Sequence, residues 1–116
     1  MQEYVTLYNC SMITFDDFAK LEIRIGTVVS AEKVENADKL LKLEVDLGEE
    51  KRQIVSGIAD WYKPEDLVGK QVPVLTNLEP RIFKEVESQG MILATGSDTA
   101  ILLHPDKEVP AGTKVR

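Results

Sequence analysis

Leu41, Leu43, Val45 and Leu47 alternate with Lys42, Glu44 and Asp46, and this run restricts the fold more than any other part of the chain. A period of two puts all four apolar side chains on one face of a half-buried strand. The run stops at Gly48-Glu49-Glu50, and strand-forming residues resume over Arg52–Ser56, so a hairpin is predicted here. Upstream, Leu21-Glu22-Ile23-Arg24-Ile25 alternates in the same way until Gly26 interrupts it, and Val28 and Val29 then stand side by side. Such a phase slip signals a bulge or tight bend at Gly26 within one long strand. Small closed sheets need a bend of that kind at their corners.

The other elements follow from punctuation. Thr14-Phe15-Asp16-Asp17 reads as a capping box opening a short helix over about 15–20. Pro64-Glu65-Asp66-Leu67 has Pro and acids where a helix starts, and Gly69 where one stops. Val72 and Val74 flank Pro73 in a fourth strand, and that Pro, lacking an N–H, belongs at an edge or bulge. Met91–Thr95 reads as a fifth strand, the stretch before it as a loop, and residues from about 97 onward as a tail containing Ile101-Leu102-Leu103. Five strands with one helix between the third and fourth predict an all-β chain: a five-stranded OB-fold barrel with short helices and a C-terminal extension. Residues 1–13 stand apart as an N-terminal extension, with Val5 and Leu7 alternating as in a short strand, and the domain is predicted to run from 14 to 116. Trp61 and Tyr62, just before the second helix, are expected to cap the core.

Little here points to chemistry. The one His, His104, precedes Pro105 in the tail and reads as a surface turn residue rather than a general base. One His and one Cys are too few for a closed zinc site, and there is no nucleophile elbow, P-loop or dinucleotide fingerprint. Glu49, Glu50, Glu85 and Glu87 fall in predicted loops and read as solvated. The expectation is a non-catalytic binding module that needs no cofactor and no metal. No apolar run approaches the roughly 20 residues that cross a bilayer, so no membrane partner is expected. The first nineteen residues hold no Lys or Arg, as a signal peptide would, and the lone Cys10 fits a reducing cytoplasm. Cys10 is given no role.

Several residues nonetheless suit a nucleic-acid face. Asn36 and Lys39 lie in the turn between the first two strands, where an OB fold meets its ligand, although Asn36 and Asp38 also simply make a turn. Lys42 and Arg52 are expected near each other on the polar face of the next hairpin, as phosphate contacts or solvated surface. Arg81 and Lys84 flank Ile82-Phe83, pairing positive charge with a stacking face, among the acids Glu79, Glu85 and Glu87. Ser88-Gln89-Gly90-Met91 offers a hydroxyl, a glycine that admits a close backbone and a polarizable thioether. The net charge of −6 opposes all of this. RNA binding would rest on a local basic surface working against an unfavourable mean field, with modest affinity and few phosphate contacts.

Three phrases occur in fixed order: Ile54-Val55-Ser56-Gly57-Ile58, Leu67-Val68-Gly69-Lys70 and Ser88-Gln89-Gly90-Met91, with Asn77-Leu78-Glu79-Pro80-Arg81 between the last two. From about Phe15 to the C-terminus the chain resembles the tRNA-binding OB-fold domain that accompanies methionyl-tRNA synthetase and also exists as a free-standing protein. The resemblance implies a protein that holds the elbow of tRNA by shape, performs no chemistry and raises a synthetase's affinity for its tRNA. It carries Asn36, Lys39, Arg52, Asn77, Arg81, Ser88 and Met91 onto the family's motif positions, and makes the tail a dimer-forming addition. Expected partners are therefore tRNA, methionyl-tRNA synthetase and a second copy of the chain, with Lys42 and Lys84 completing the candidate RNA face. A related branch of the family is a secretion-associated chaperone, and a dimeric protein-binding chaperone is the alternative that the acidic balance suits. A pure docking subunit that leaves RNA to its partner is the third reading.

Overall fold

The computed structural model describes residues 11–116, so the strand expected at Val5–Leu7 and Cys10 lie outside the described residues. Among the described residues the helices α1 (Phe15–Ala19) and α2 (Pro64–Leu67) accompany the strands β1 (Ile23–Val34), β2 (Ala37–Asp46), β3 (Lys51–Ser56), β4 (Gln71–Leu75), β5 (Arg81–Phe83), β6 (Val86–Ser88), β7 (Met91–Ile92), β8 (Ala94–Thr95) and β9 (Ile101–Leu102). The capping box at Thr14 is reciprocal. Asp17 N donates to Thr14 Oγ1 at 3.1 Å, and Thr14 N to Asp17 Oδ2 at 3.1 Å. These bonds hold α1 in place of tertiary packing, since the helix buries no residue. Among the described residues no helix is long and apolar enough to cross a membrane.

The long bent strand is present. β1 pairs with β4 over Ile23–Thr27 and with β2 over Thr27–Val34, changing partners at Thr27. Gly26 serves the bend, because a Cβ there would drive into the Val45 side chain and stand 3.0 Å from Leu47 Cδ2. The bulge itself falls three residues later than expected. The β1–β2 register slips between Val28 and Ser30, leaving Val29 unpaired and half out in solvent. β2 and β3 form the predicted hairpin, and the alternation of β2 buries Leu41, Leu43, Val45 and, beyond it, Leu47. With Val28, Ile54, Leu67, Val72 and Val74 they make one core. Tyr62 packs against it and accepts Leu102 N–H at 3.1 Å, whereas Trp61 stays 44% exposed.

The main sheet runs β3-β2-β1-β4-β7, and no ladder joins its outer strands. The expected barrel is thus an incompletely closed one, and hydrogen bonds of Ser88 and Gln89, two from side chains and one from the backbone, span the gap. Gln53 N donates to Gln89 Oε1 at 3.1 Å, Val55 N to Ser88 Oγ at 2.9 Å, and Gln89 N to Gln53 O at 2.8 Å. The predicted fifth strand breaks at Leu93 into β7 and β8, and β8 turns away to pair with β9. Pro73 sits beside the break: Leu93 N–H reaches its carbonyl at 3.1 Å, while the proline has no N–H to return. The loop expected before this strand is a hairpin, β5–β6, turning at Lys84-Glu85, so Glu87 lies in a strand. The tail docks on its own chain. Gly112 N and Val115 N donate to the carbonyls of Ile25 and Ile23, and the Gln71 amide bonds both ways with the Val109 backbone. His104 Nδ1, 2.7 Å from Gln71 O, belongs to the same contact.

Candidate functional site

Eight of the nine expected site residues separate into two groups. Three hold the fold together. Ser88 is 3% exposed, and its hydroxyl is fully occupied, accepting from Val55 N at 2.9 Å and donating to Gly90 O at 2.9 Å. Asn77 uses both ends of its amide, accepting from Glu22 N at 2.9 Å and donating to Lys20 O at 2.6 Å, which fixes the chain entering β1 to the end of β4. Arg52 pairs in register with Val45, so it lies on the inward face of the β2–β3 hairpin, opposite to Lys42. Its guanidinium bonds Glu50 and the carbonyl of Thr76, and reaches Gln89 O at 3.3 Å. Lys42 and Arg52 both border one hollow, as expected, but the pleat puts them on opposite faces of the hairpin, which corrects the single polar face. Arg52 also lines a hollow with Arg24, Glu22, Glu49 and Glu50, in which acids outnumber bases.

Five others gather where two hairpin tips meet. Asn36 forms the tip between β1 and β2 at φ +64°, in the left-handed region that Asn tolerates better than most residues. Lys84 and Glu85 form the tip between β5 and β6 at φ +50° and +71°. One hollow between the tips is lined by Asn36, Lys33, Lys42 and Lys84 together with Glu32, Glu35 and Glu85. A neighbouring, more apolar groove is lined by Asn36, Lys39, Lys84, Leu40, Ile82 and Phe83, with Asp38 at its rim. Arg81 stacks on Phe83, its guanidinium carbon 4.9 Å from the ring centroid. Lys42 is held by Glu32 at 2.7 Å across β1–β2, while Lys39 and Lys84 have no carboxylate partner among the described residues. Met91, 42% exposed on β7, stands apart from both tips.

Sequence reasoning missed Lys33, which brings a fourth lysine to the tips, and Gln89, whose side chain meets the edge of β3. The alternation of β1 could have placed Lys33, but only register reveals Gln89. The site's electrostatics are near balance, since Lys33, Lys42 and Lys84 face Glu32, Glu35 and Glu85. A free acid–base pair is not gathered there. Among the described residues no group of three or more His, Cys, Asp or Glu side chains could hold a metal ion. What the arrangement offers is reversible contact: mobile cations, an exposed apolar step and an aromatic already stacked on a guanidinium.

Residues 23–114 match the family model of the tRNA binding domain. The chain is 60% identical over 105 residues to a methionine–tRNA ligase of Methanococcoides burtonii, a match covering 88% of this chain and 15% of that enzyme. It thus spans about a sixth of the length of the synthetases it matches. The crystal structure of a MetRS-related protein from Pyrococcus horikoshii superposes with a TM-score of 0.86 at 41% identity, covering 91% of this chain and 99% of that one. The chaperone CsaA of Bacillus anthracis superposes at 0.84 with 35% identity, covering 91% and 100%. With four-fifths of its length inside the family model and a whole solved chain matched end to end, this chain belongs to the tRNA-binding domain family.

Proposed function

We propose that this chain binds tRNA by shape, as the beta subunit or detached C-terminal domain of methionyl-tRNA synthetase, and raises that enzyme's tRNA affinity in trans. It acts without catalysis, as a homodimer in the cytoplasm. The observation that carries this reading is the meeting of Asn36, Lys39, Lys42 and Lys84 at two facing hairpin tips on a chain of the tRNA-binding family. Adding a second tRNA contact to a synthetase turns a bimolecular encounter into an intramolecular one, which raises affinity without changing the reaction centre. The balanced charge of the tips keeps each contact weak, as suits an accessory that must release its cargo. The exposed Ile101 and Leu103 of the tail suit a contact between two copies.

The test is filter binding of bulk tRNA to the purified protein, with a Lys39→Ala, Lys84→Ala double variant alongside. Binding by the intact protein that the variant loses supports the reading, and no binding by the intact protein refutes it. The likeness to CsaA and the 72% exposure of Ile82 favour one second reading, a dimeric protein-binding chaperone. That reading predicts suppression of client aggregation at low molar ratio without RNA, and failure to suppress it would leave tRNA as the ligand.

A further inference from the structure

The apolar groove between the hairpin tips has a shape and chemistry that a folded duplex cannot use. Ile82 projects 72% exposed beside the half-buried Phe83, and Leu40 and Ala37 form the opposite wall. Lys39 and Lys84, both free of carboxylates among the described residues, stand along it. The residues with positive φ other than glycine among the described ones, Asn36, Lys84 and Glu85, all lie at these two tips. Side chains in the left-handed region are unfavourable and persist where the surroundings hold them to a purpose. At this place they aim two tips at one another and leave a slot with apolar walls.

We propose that this groove takes a single unstacked nucleobase from an RNA loop, with Lys39 and Lys84 on its flanking phosphates. The inference rests on the tRNA-binding reading and adds to it that an unpaired nucleotide is required. Bases out of a helix find their partners on aromatic rings and on guanidinium planes. Phe83 lines the groove and supplies such a ring, and Arg81, stacked on it 4.9 Å from the centroid, backs the ring from outside the groove. The base's polar edge then meets the Asn36 amide and the Asp38 carboxylate, which accepts from an exocyclic amine. Charge separates this occupant from an apolar peptide: a peptide would satisfy Ile82 and Leu40 but leave two lysines without a partner, whereas a nucleotide satisfies all four.

The experiment is displacement of fluorescein-labelled tRNA from the full chain by two unlabelled competitors at equal phosphate concentration, a 12-nucleotide oligoadenylate and a blunt 12-base-pair RNA duplex. It is repeated with Ile82→Ala, which is too exposed to endanger folding, and with Phe83→Ala, whose fold is checked by circular dichroism. The oligoadenylate should displace tRNA and the duplex should not. Phe83→Ala should weaken tRNA binding about 10-fold, within the range for loss of one base–aromatic stack, and Ile82→Ala by a smaller factor. Neither should change the salt slope, because no phosphate contact is lost. If intact protein binds tRNA but the duplex competes equally, or both variants bind as before, the groove proposal falls and the tRNA reading stands. If the intact protein binds no tRNA, both fall. If the intact protein binds tRNA and the oligoadenylate does not displace it, the groove takes no unstacked base and the proposal is overturned.

Discussion

Substituting Ser88 by Ala isolates what the Ser-Gln-Gly phrase does. In the structure the hydroxyl takes the place of a missing strand: it accepts the Val55 N–H of the outer strand β3 at 2.9 Å and returns a hydrogen bond to Gly90 O at 2.9 Å. Both Ser88 and Val55 are buried, at 3% and 7% exposure. Alanine would therefore strand a buried N–H with no room for water, at a cost of about 1–3 kcal/mol. For a domain of this size, unfolding entropy near 2 cal/mol/K per residue converts each kcal/mol into about 4 °C, so Tm should fall by about 4–12 °C. Thermal unfolding by circular dichroism, at one fixed protein concentration because an oligomer's Tm depends on it, reads the shift. At 20 °C the surviving folded protein should bind tRNA within about twofold of the original, since the hydroxyl is not on the surface. An unchanged Tm together with lost tRNA binding would refute this account and return Ser88 to the ligand face.

Glu32→Gln should release Lys42 from its 2.7 Å ion pair, tighten tRNA binding and steepen the log–log salt slope by about 0.7, with stability moved by less than about 1 kcal/mol; titrations at several salt concentrations check both. Gly26→Ala should cost about 1–3 kcal/mol, because the added methyl meets the fully buried Val45 at the bend of β1; urea unfolding at constant slope measures it. Hydrogen bonds from the Thr14 backbone and then its hydroxyl hold the Asp17 carboxyl below its ordinary value of 3.8. The stability this lends α1 is therefore fully present above about pH 4 and is lost as pH falls through the lowered value. Amide protection at Thr14 and Asp17, taken relative to the intrinsic exchange rate at each pH, should fall only in that acid window, and Asp17→Asn should abolish this change in protection.

The β1–β4 framework was legible because its signals are local. Alternation at Leu41–Leu47, the capping box at Thr14 and Pro64 at a helix start each carry their own physical reason within a few residues. The β5–β6 hairpin was not, since its turn at Lys84-Glu85 takes positive φ without the Gly or Asn that advertises such turns. Arg52 was misplaced because its face is set by register against β2, and a pleat has no preferred side until its partner is known. Ser88 was read as a contact for its hydroxyl and its place in a family phrase, and only the unjoined edge of β3 explains why it is buried there. Part of what the family phrases mark is architecture: Arg52, Asn77 and Ser88 clip the sheet together, and the proposed RNA contacts rest on the lysines at the tips.

That division sets the deciding number. With Arg52 committed to Glu50 and to the carbonyls of Thr76 and Gln89, the cations left for phosphate in this proposal are Lys33, Lys39, Lys84 and Arg81, with Lys42 a fifth once Glu32 lets go. Four to five phosphate contacts at about 0.7 each predict that log K for tRNA falls against log salt with a slope of about −3 to −3.5. A slope in that range, reduced by about 0.7 in Lys84→Ala and unchanged in a folded Ser88→Ala, is what the account requires. A slope near zero, or tRNA binding indifferent to Lys84, would contradict it.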